Sequence, residues 1–105
     1  MAISYAITEE NWIKVFDATH NMISQISAVG FRLVGVSKNF FVTVDNDGWW
    51  FKTFDQDCNL IAEMCLPGDE LHSVTDDIIT MRRTWEEYFE EFDPEWNYIM
   101  GYRKK

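Results

Sequence analysis

The stretch FFVTVDNDGWWFKTF, residues 40–54, alternates large apolar side chains with other residues on both sides of an Asp-Gly pair. Alternation with a period of two is typical of β-strands. Asp47-Gly48 suits the positive φ angles that a tight hairpin requires. The stretch therefore predicts a β-hairpin whose turn lies at Asp45–Gly48.

The two faces of this hairpin follow from strand parity, which is the same for a two-residue and a four-residue loop. One face is nearly all apolar and is expected to meet the helices described next; it carries Phe40, Val42, Val44, Trp49, Phe51 and Thr53. The opposite face mixes the rings of Phe41, Trp50 and Phe54 with polar neighbours. That second face lies under the C-terminal segment or forms an exposed aromatic patch of the kind that marks interfaces.

Residues outside the hairpin predict further strands and two helices. β-branched and aromatic runs predict strands at Phe31–Val36 and Leu60–Leu66, and the short connections favour an antiparallel meander. Apolar residues at helical spacing after a Thr8 cap predict a helix over residues 9–27. A stripe of apolar residues that includes Met81, Trp85 and Phe92 predicts a second, amphipathic helix over residues 73–92.

The expected fold class is therefore α+β. An N-terminal helix precedes a three- to four-stranded antiparallel meander, and a C-terminal amphipathic helix follows it. A chain of 105 residues fits a single domain, 1–105, and its sequence shows no evident internal repeat.

Acidic charge is the most informative feature of the composition. The formal net charge is −9, and the segment from Asp45 to Glu95 has 15 acidic residues against Lys52, Arg82 and Arg83. A field of this sign repels phosphate and attracts basic surfaces. We therefore expect a basic protein partner rather than direct binding to nucleic acid or membrane, although the same charge would also serve solubility alone.

Catalytic and metal sites are not expected. The spacing of Cys58, Cys65 and His72 lacks the close ligand pairs of structural zinc, and the segment from Asp55 lacks the glycine and glutamate of a calcium loop. No phosphate-binding or nucleophile motif occurs. Neither an enzyme nor a cofactor is expected. Two free thiols and the lack of a secretory signal favour a cytoplasmic location.

The second predicted helix has an acidic outer face. Like charges four residues apart, at Glu86 and Glu90 and again at Glu87 and Glu91, repel each other on a helix. Such an arrangement suggests that the charge has a use, whereas the plain alternative is a solvated helix face.

Two segments together resemble the phage-encoded anti-CRISPR proteins that block a Cas nuclease by mimicking DNA. They are Val44-Asp45-Asn46-Asp47-Gly48 in the hairpin and Trp85-Glu86-Glu87-Tyr88-Phe89-Glu90-Glu91 in the acidic helix. The resemblance implies carboxylates that take the place of phosphates in a basic channel. It covers architecture and charge. A phage-encoded protein of this kind would act in the host cytoplasm.

The hypothesis from sequence is a non-enzymatic inhibitor of a basic, nucleic-acid-binding protein such as a nuclease. Two alternatives remain open: an immunity or antitoxin-like protein that caps a toxin active site, and an acidic scaffold or subunit domain without an inhibitory role. The residues expected to bind the partner are Asp45, Asp47, Trp50, Phe54, Asp76, Glu86, Glu87, Glu90 and Glu91.

Overall fold

The computed structural model describes residues 2–103, and the regular structure in this part of the chain consists of eleven β-strands in three antiparallel sheets. The first sheet contains β1 (Tyr5–Glu9), β2 (Trp12–Phe16) and β3 (Met22–Ser27). The middle sheet contains β4 (Phe31–Val36), β5 (Phe40–Asp45), β6 (Trp50–Asp55) and β7 (Leu60–Cys65). The third sheet contains β8 (Asp69–Val74), β9 (Ile79–Arg83), β10 (Tyr88–Phe92) and β11 (Tyr98–Arg103).

The predicted α+β fold is wrong, because both predicted helices are strands. Residues 9–27 form the end of β1, β2 and β3, and residues 73–92 form the end of β8, β9 and β10. A spacing of four residues, as between Trp12 and Phe16, places two side chains on one face of a strand as well as on one face of a helix. Each turn between strands then changes whether odd-numbered or even-numbered residues are the apolar ones. Across several short strands, the spacing of apolar residues therefore resembles that of a helix.

The hairpin at Asp45–Gly48 is present. The Gly48 N–H donates to the Asp45 carbonyl oxygen at 2.8 Å, and Gly48 has a φ of 81°. Phe41 lies opposite Phe54 and Val44 lies opposite Phe51, which agrees with the parity derived from sequence. Each face of this hairpin packs against a neighbouring sheet. The helices that were predicted to cover one face do not form.

A pattern that recurs at a spacing of 38 residues relates the three sheets, so the expectation of no internal repeat was wrong. Its clearest positions are Phe16-Asp17, Phe54-Asp55 and Phe92-Asp93, each at the end of a strand. Each aspartate accepts hydrogen bonds at 2.9–3.0 Å from the backbone N–H groups two and four residues later; the donors are Thr19 and Asn21, Asp57 and Asn59, and Glu95 and Asn97. Asn21, Asn59 and Asn97 recur with the same spacing, as do Ile23, Ile61 and Ile99.

The core consists of two joints between the sheets. In the joint of the first and middle sheets, Ile13 and Val15 pack with Phe41 and Phe54. In the joint of the middle and third sheets, residues of the opposite face of β5 and β6 pack against the third sheet; they are Phe40, Val42, Val44 and Phe51 with Ile79, Met81 and Phe92. Repeated antiparallel sheets packed face to face are the architecture of a β-propeller, and each sheet here corresponds to a blade.

The first strands of the middle and third sheets pack closely at Gly35 in β4. A Cβ atom built at Gly35 would lie 2.6 Å from Val74 Cγ2 and 2.8 Å from Leu71 Cδ2 in β8. These distances are shorter than van der Waals contact, so a side chain at position 35 would require Val74 and Leu71 to shift.

We predict that Gly35→Ala lowers the free energy of unfolding by about 1–3 kcal/mol, the usual cost of overpacking. The Gly35→Ala/Val74→Ala double variant should be more stable than the sum of the two single effects, because the second change removes the nearer of the two close contacts. Urea unfolding of the four proteins measures both quantities. Strict additivity in this cycle would contradict the close packing of β4 on β8.

Candidate functional site

One end of the three sheets exposes four tryptophan side chains, and we call it the tryptophan end. Trp49 is 53% exposed, Trp50 39%, Trp85 76% and Trp12 42%. All four lie in or next to the turns β1–β2, β5–β6 and β9–β10, which are on the same end of their sheets. Exposed rings at one end of a fold often mark an interaction surface.

Hydrogen bonds from side chains and from the backbone hold these turns in place. The Trp49 N–H donates to Asp47 Oδ1 at 2.8 Å, and the Trp49 carbonyl oxygen accepts from the Leu66 N–H at 2.8 Å. The Thr84 hydroxyl donates to the Gly68 carbonyl oxygen at 3.3 Å. The ring of Trp85 lies close by, since a Cβ atom at Gly68 would be 3.7 Å from its Nε1. Local geometry therefore keeps Trp49 and Trp85 at the surface.

A cavity of about 640 Å³ opens at this end between the middle and third sheets. Both apolar and charged side chains line it. The lining residues are Arg32, Val34, Val44, Asp47, Gly48, Trp49, Phe51, Gly68, Asp69, Glu70 and Leu71. Concave surfaces at which polar groups converge beside apolar side chains are the usual form of a binding site.

Asp69 has the most altered titration at the cavity. Burial raises the pKa of its carboxyl from 3.8 to about 6; the nearby Arg83 lowers the pKa, and the charges of Glu90 and Glu86 raise it further. Arg83 is itself shared, because its Nε lies 3.2 Å from Glu90 Oε1 and its Nη1 3.8 Å from Glu86 Oε2. Asp69 therefore changes charge near pH 6 at the rim of the cavity.

The structure separates the residues that the sequence placed in one acidic row. Glu86 and Glu87 lie in the β9–β10 turn at the tryptophan end. Glu90 faces the middle sheet beside Arg83, whereas the next residue, Glu91, lies on the opposite face of β10. The prediction of four aligned carboxylates is wrong, because a strand sends neighbouring side chains to opposite faces.

The other predicted partner-binding residues are also dispersed. Asp47 and Trp50 lie at the tryptophan end, and Asp45 pairs with Lys52 at 3.4 Å. Phe54 is 5% exposed and belongs to the core, so it does not present a surface ring. Asp76 lies in the β8–β9 turn at the opposite end and pairs with Lys38 at 3.4 Å.

Sequence reasoning missed Trp49, Trp85 and Asp69 as site residues. Trp49 was assigned to the apolar face of the hairpin and Trp85 to the buried stripe of a helix, so both rings were expected in the core. For Trp49, the available signal was its position directly after the predicted turn at Asp45–Gly48. For Asp69 and Arg32, which come from different strands, only the packing of β8 on β4 brings the side chains together.

The described residues contain no group of three or more His, Cys, Asp or Glu side chains that could hold a metal ion. Cys58 and Cys65 are free thiols, and burial raises the pKa of Cys58. The His72 ring packs edge-on against Phe89 at 4.9 Å. Residues 2–103 also include no helix long and apolar enough to cross a membrane.

The comparisons with known proteins give a likeness of fold. No family model matches the chain, and no curated protein matches it. A solved structure that does match is the crystal structure of BamB from Moraxella catarrhalis, with a TM-score of 0.65 and 11% sequence identity. The match covers 99% of this chain and 35% of the BamB chain. The chain therefore spans about a third of that protein's length, and the likeness at this identity shows the fold alone.

The resemblance to anti-CRISPR proteins depended on a helix–sheet–helix architecture, and the described chain does not have this architecture. The hairpin that contains Val44–Gly48 is present, but the acidic aromatic helix is a turn and a strand.

We predict that Asp69→Asn stabilises the protein above pH 6 and has little effect at pH 4. The pKa in the folded state exceeds the unfolded value, so wild-type stability falls as the pH rises from about 4 to about 6. Because the group is partly exposed, we discount the effect of the shift for solvent screening to about 1 kcal/mol. Urea unfolding at both pH values measures it, with Asp77→Asn as a control for charge. Equal pH dependence in wild type and Asp69→Asn would contradict this placement of Asp69.

Proposed function

We propose that the chain is a non-enzymatic binding module that recognises a basic protein through the tryptophan end. The observation that carries the proposal is the cavity of about 640 Å³ with exposed Trp49 on its rim and exposed Trp85 beside Gly68. Tryptophan is enriched among the residues that dominate binding energy at interfaces. The neighbouring carboxylates of Asp47, Asp69 and Glu70 favour a cation.

A cationic side chain of the partner fits this arrangement on chemical grounds. An arginine guanidinium binds carboxylates through charged hydrogen bonds and also stacks on indole rings. Arg32, on the same cavity wall, would face an acidic group of the partner. We therefore expect recognition of a segment in which basic residues predominate, with the net charge of −9 accelerating its approach.

The proposal predicts that Trp49→Ala/Trp85→Ala weakens binding of an arginine-rich peptide by at least about 10-fold, a typical effect of removing aromatic anchors. Isothermal titration calorimetry measures the affinity, and tryptophan fluorescence reports whether the remaining rings change environment. Wild-type affinity should also fall as salt is added, because part of the attraction is between exposed charges.

Trp12→Ala is the matched control, since Trp12 is a similarly exposed ring at the same end but lies on the first sheet, away from the cavity. It should bind within about twofold of wild type, below the scale of a hot-spot residue. Equal affinities of wild type and the Trp49→Ala/Trp85→Ala variant would reject the cavity as the binding site. Equal weakening by Trp12→Ala would indicate nonspecific attraction.

The finer part of the proposal is that the basic partner is a nucleic-acid-binding protein, which this chain inhibits by occupying its nucleic-acid site. Its support is the charge of the segment from Asp45 to Glu95, with 15 acidic residues and three basic ones. The two free thiols agree with action in the cytoplasm. The charge alone is equally compatible with a toxin-capping protein, so competition with nucleic acid distinguishes the two.

Replacement of Asp47, Glu70 and Glu86 by lysine should abolish competition between this chain and duplex DNA on a captured partner. These side chains lie at the tryptophan end and two of them line the cavity. Fluorescence anisotropy of labelled DNA measures displacement, and thermal melting checks the fold. Undiminished displacement by the triple lysine variant would refute mimicry at this surface, whereas a partner that binds no nucleic acid would favour the capping alternative.

A further inference from the structure

The two joints between the sheets use equivalent positions of the 38-residue repeat. Phe54 and Phe92 occupy one such position, and both face the preceding sheet. Ile13 and Phe51 occupy another, and both face the following sheet. Each blade therefore has a backward face and a forward face of defined composition, and every joint unites a forward face with a backward face.

Each joint also has a hydrogen bond from a hydroxyl of one sheet to a backbone carbonyl oxygen of the next, in which the acceptors but not the donors are equivalent positions. The Ser24 hydroxyl on the first sheet donates to the Gln56 carbonyl oxygen, and the Thr53 hydroxyl on the middle sheet donates to the Pro94 carbonyl oxygen at 2.6 Å. Gln56 and Pro94 are 38 residues apart in equivalent turns. The joint is thus a specific, directional contact, in which polar groups as well as apolar ones have fixed partners.

The backward face of the first sheet has no neighbour among the described residues, although its composition is that of a joint. Phe16 stands at the position of Phe54 and Phe92, and the Tyr5 ring stacks on it at 4.9 Å. Ile7, 40% exposed, and Met22, 49% exposed, lie on the same face. This face therefore has the apolar composition of one side of a joint but lacks the opposing sheet.

The forward face of the third sheet is the complementary half. Phe89 stands at the position of Ile13 and Phe51, between the rings of His72 at 4.9 Å and Tyr102 at 5.6 Å. Met100, 48% exposed, and Tyr102, 39% exposed, lie on this outer face, because they pair with Glu91 and Phe89 in the β10–β11 register. No other sheet of the described chain covers these rings.

We propose that the forward face of the third sheet binds the backward face of the first sheet of a second copy of this chain, head to tail. The argument is continuity with the two joints already present, which have the same residue positions and the same direction. Such an interface is heterologous, so that its repetition either closes a ring or continues as a filament. Two copies contribute six sheets, which lies within the four to eight blades of known propellers, so the proposed assembly is a closed dimer with two identical joints.

Two glutamate pairs test the two faces separately. Ile7→Glu/Met22→Glu changes the backward face, and Met100→Glu/Tyr102→Glu changes the forward face. Val29→Glu/Leu60→Glu adds the same charge at positions that are 76% and 52% exposed, on the connection between the first two sheets and on β7 of the middle sheet. Sedimentation equilibrium should give a dimer for wild type and the control pair, and a monomer for each of the two face variants.

Mixing the two face variants is the decisive measurement. Each retains one intact half, so a 1:1 mixture should form a heterodimer through a single joint, weaker than the wild-type dimer. A face-to-face dimer of identical halves would instead persist in one variant alone. Circular dichroism and thermal melting of each variant confirm that the monomer is folded before the result is read.

A wild-type chain that stays monomeric at the highest concentrations reached would overturn the proposal. So would a mixture of folded face variants that fails to associate, or a dimer that survives both glutamate pairs. These outcomes are independent of the cavity at the tryptophan end, because Trp49→Ala/Trp85→Ala leaves both outer faces intact and should remain dimeric whether or not it binds the basic peptide.

Discussion

Burial of both faces of the middle sheet is the constraint on which the rest of the structure depends. The residues from Phe40 to Val44 are at most 2% exposed, so β5 has no solvent side. Apolar surface on both faces contributes to stability only when a sheet covers each of them, at roughly 25 cal/mol for each Å² removed from water. The first and third sheets supply that cover. Their own outer faces are not covered by another sheet of the described chain.

The repeated aspartate turn makes this stacking possible at regular intervals. Each of Asp17, Asp55 and Asp93 accepts hydrogen bonds from backbone N–H groups of its own turn. These turns connect the last two strands of each sheet, which are β2 and β3, β6 and β7, and β10 and β11. The hydroxyl of Thr19, followed by the backbone N–H of Asn21, lowers the pKa of Asp17, and the backbone N–H of Asn97 has the largest lowering effect on the pKa of Asp93. The carbonyl groups of two of these turns then accept hydrogen bonds from the preceding sheet. The same turns therefore both shape a connection within a sheet and contribute to the contact between sheets.

The position of the candidate site follows from the same stacking. Where two twisted sheets meet, their ends diverge, and the cavity lies between the middle and third sheets at the tryptophan end. Its rings come from turns, which can vary without loss of the core. The candidate site and the outer faces therefore use different residues, so that the proposed ligand binding and the proposed self-association can be tested separately.

The sequence by itself determined the hairpin at Asp45–Gly48, the shared face of Phe41 with Phe54 and of Val44 with Phe51, and the excess of acidic charge, because turn chemistry, strand parity and ionisation are local properties. It could not determine whether Trp12 and Phe16, four residues apart, belong to a helix or a strand, since that spacing suits both. Tertiary structure decided the question: backbone groups of β1, β2 and β3 pair with one another, and the ring positions of the repeat bury themselves between sheets. Only that packing brings Arg32, Trp49 and Asp69 to one cavity, because residues distant in sequence meet through contacts that no local pattern records.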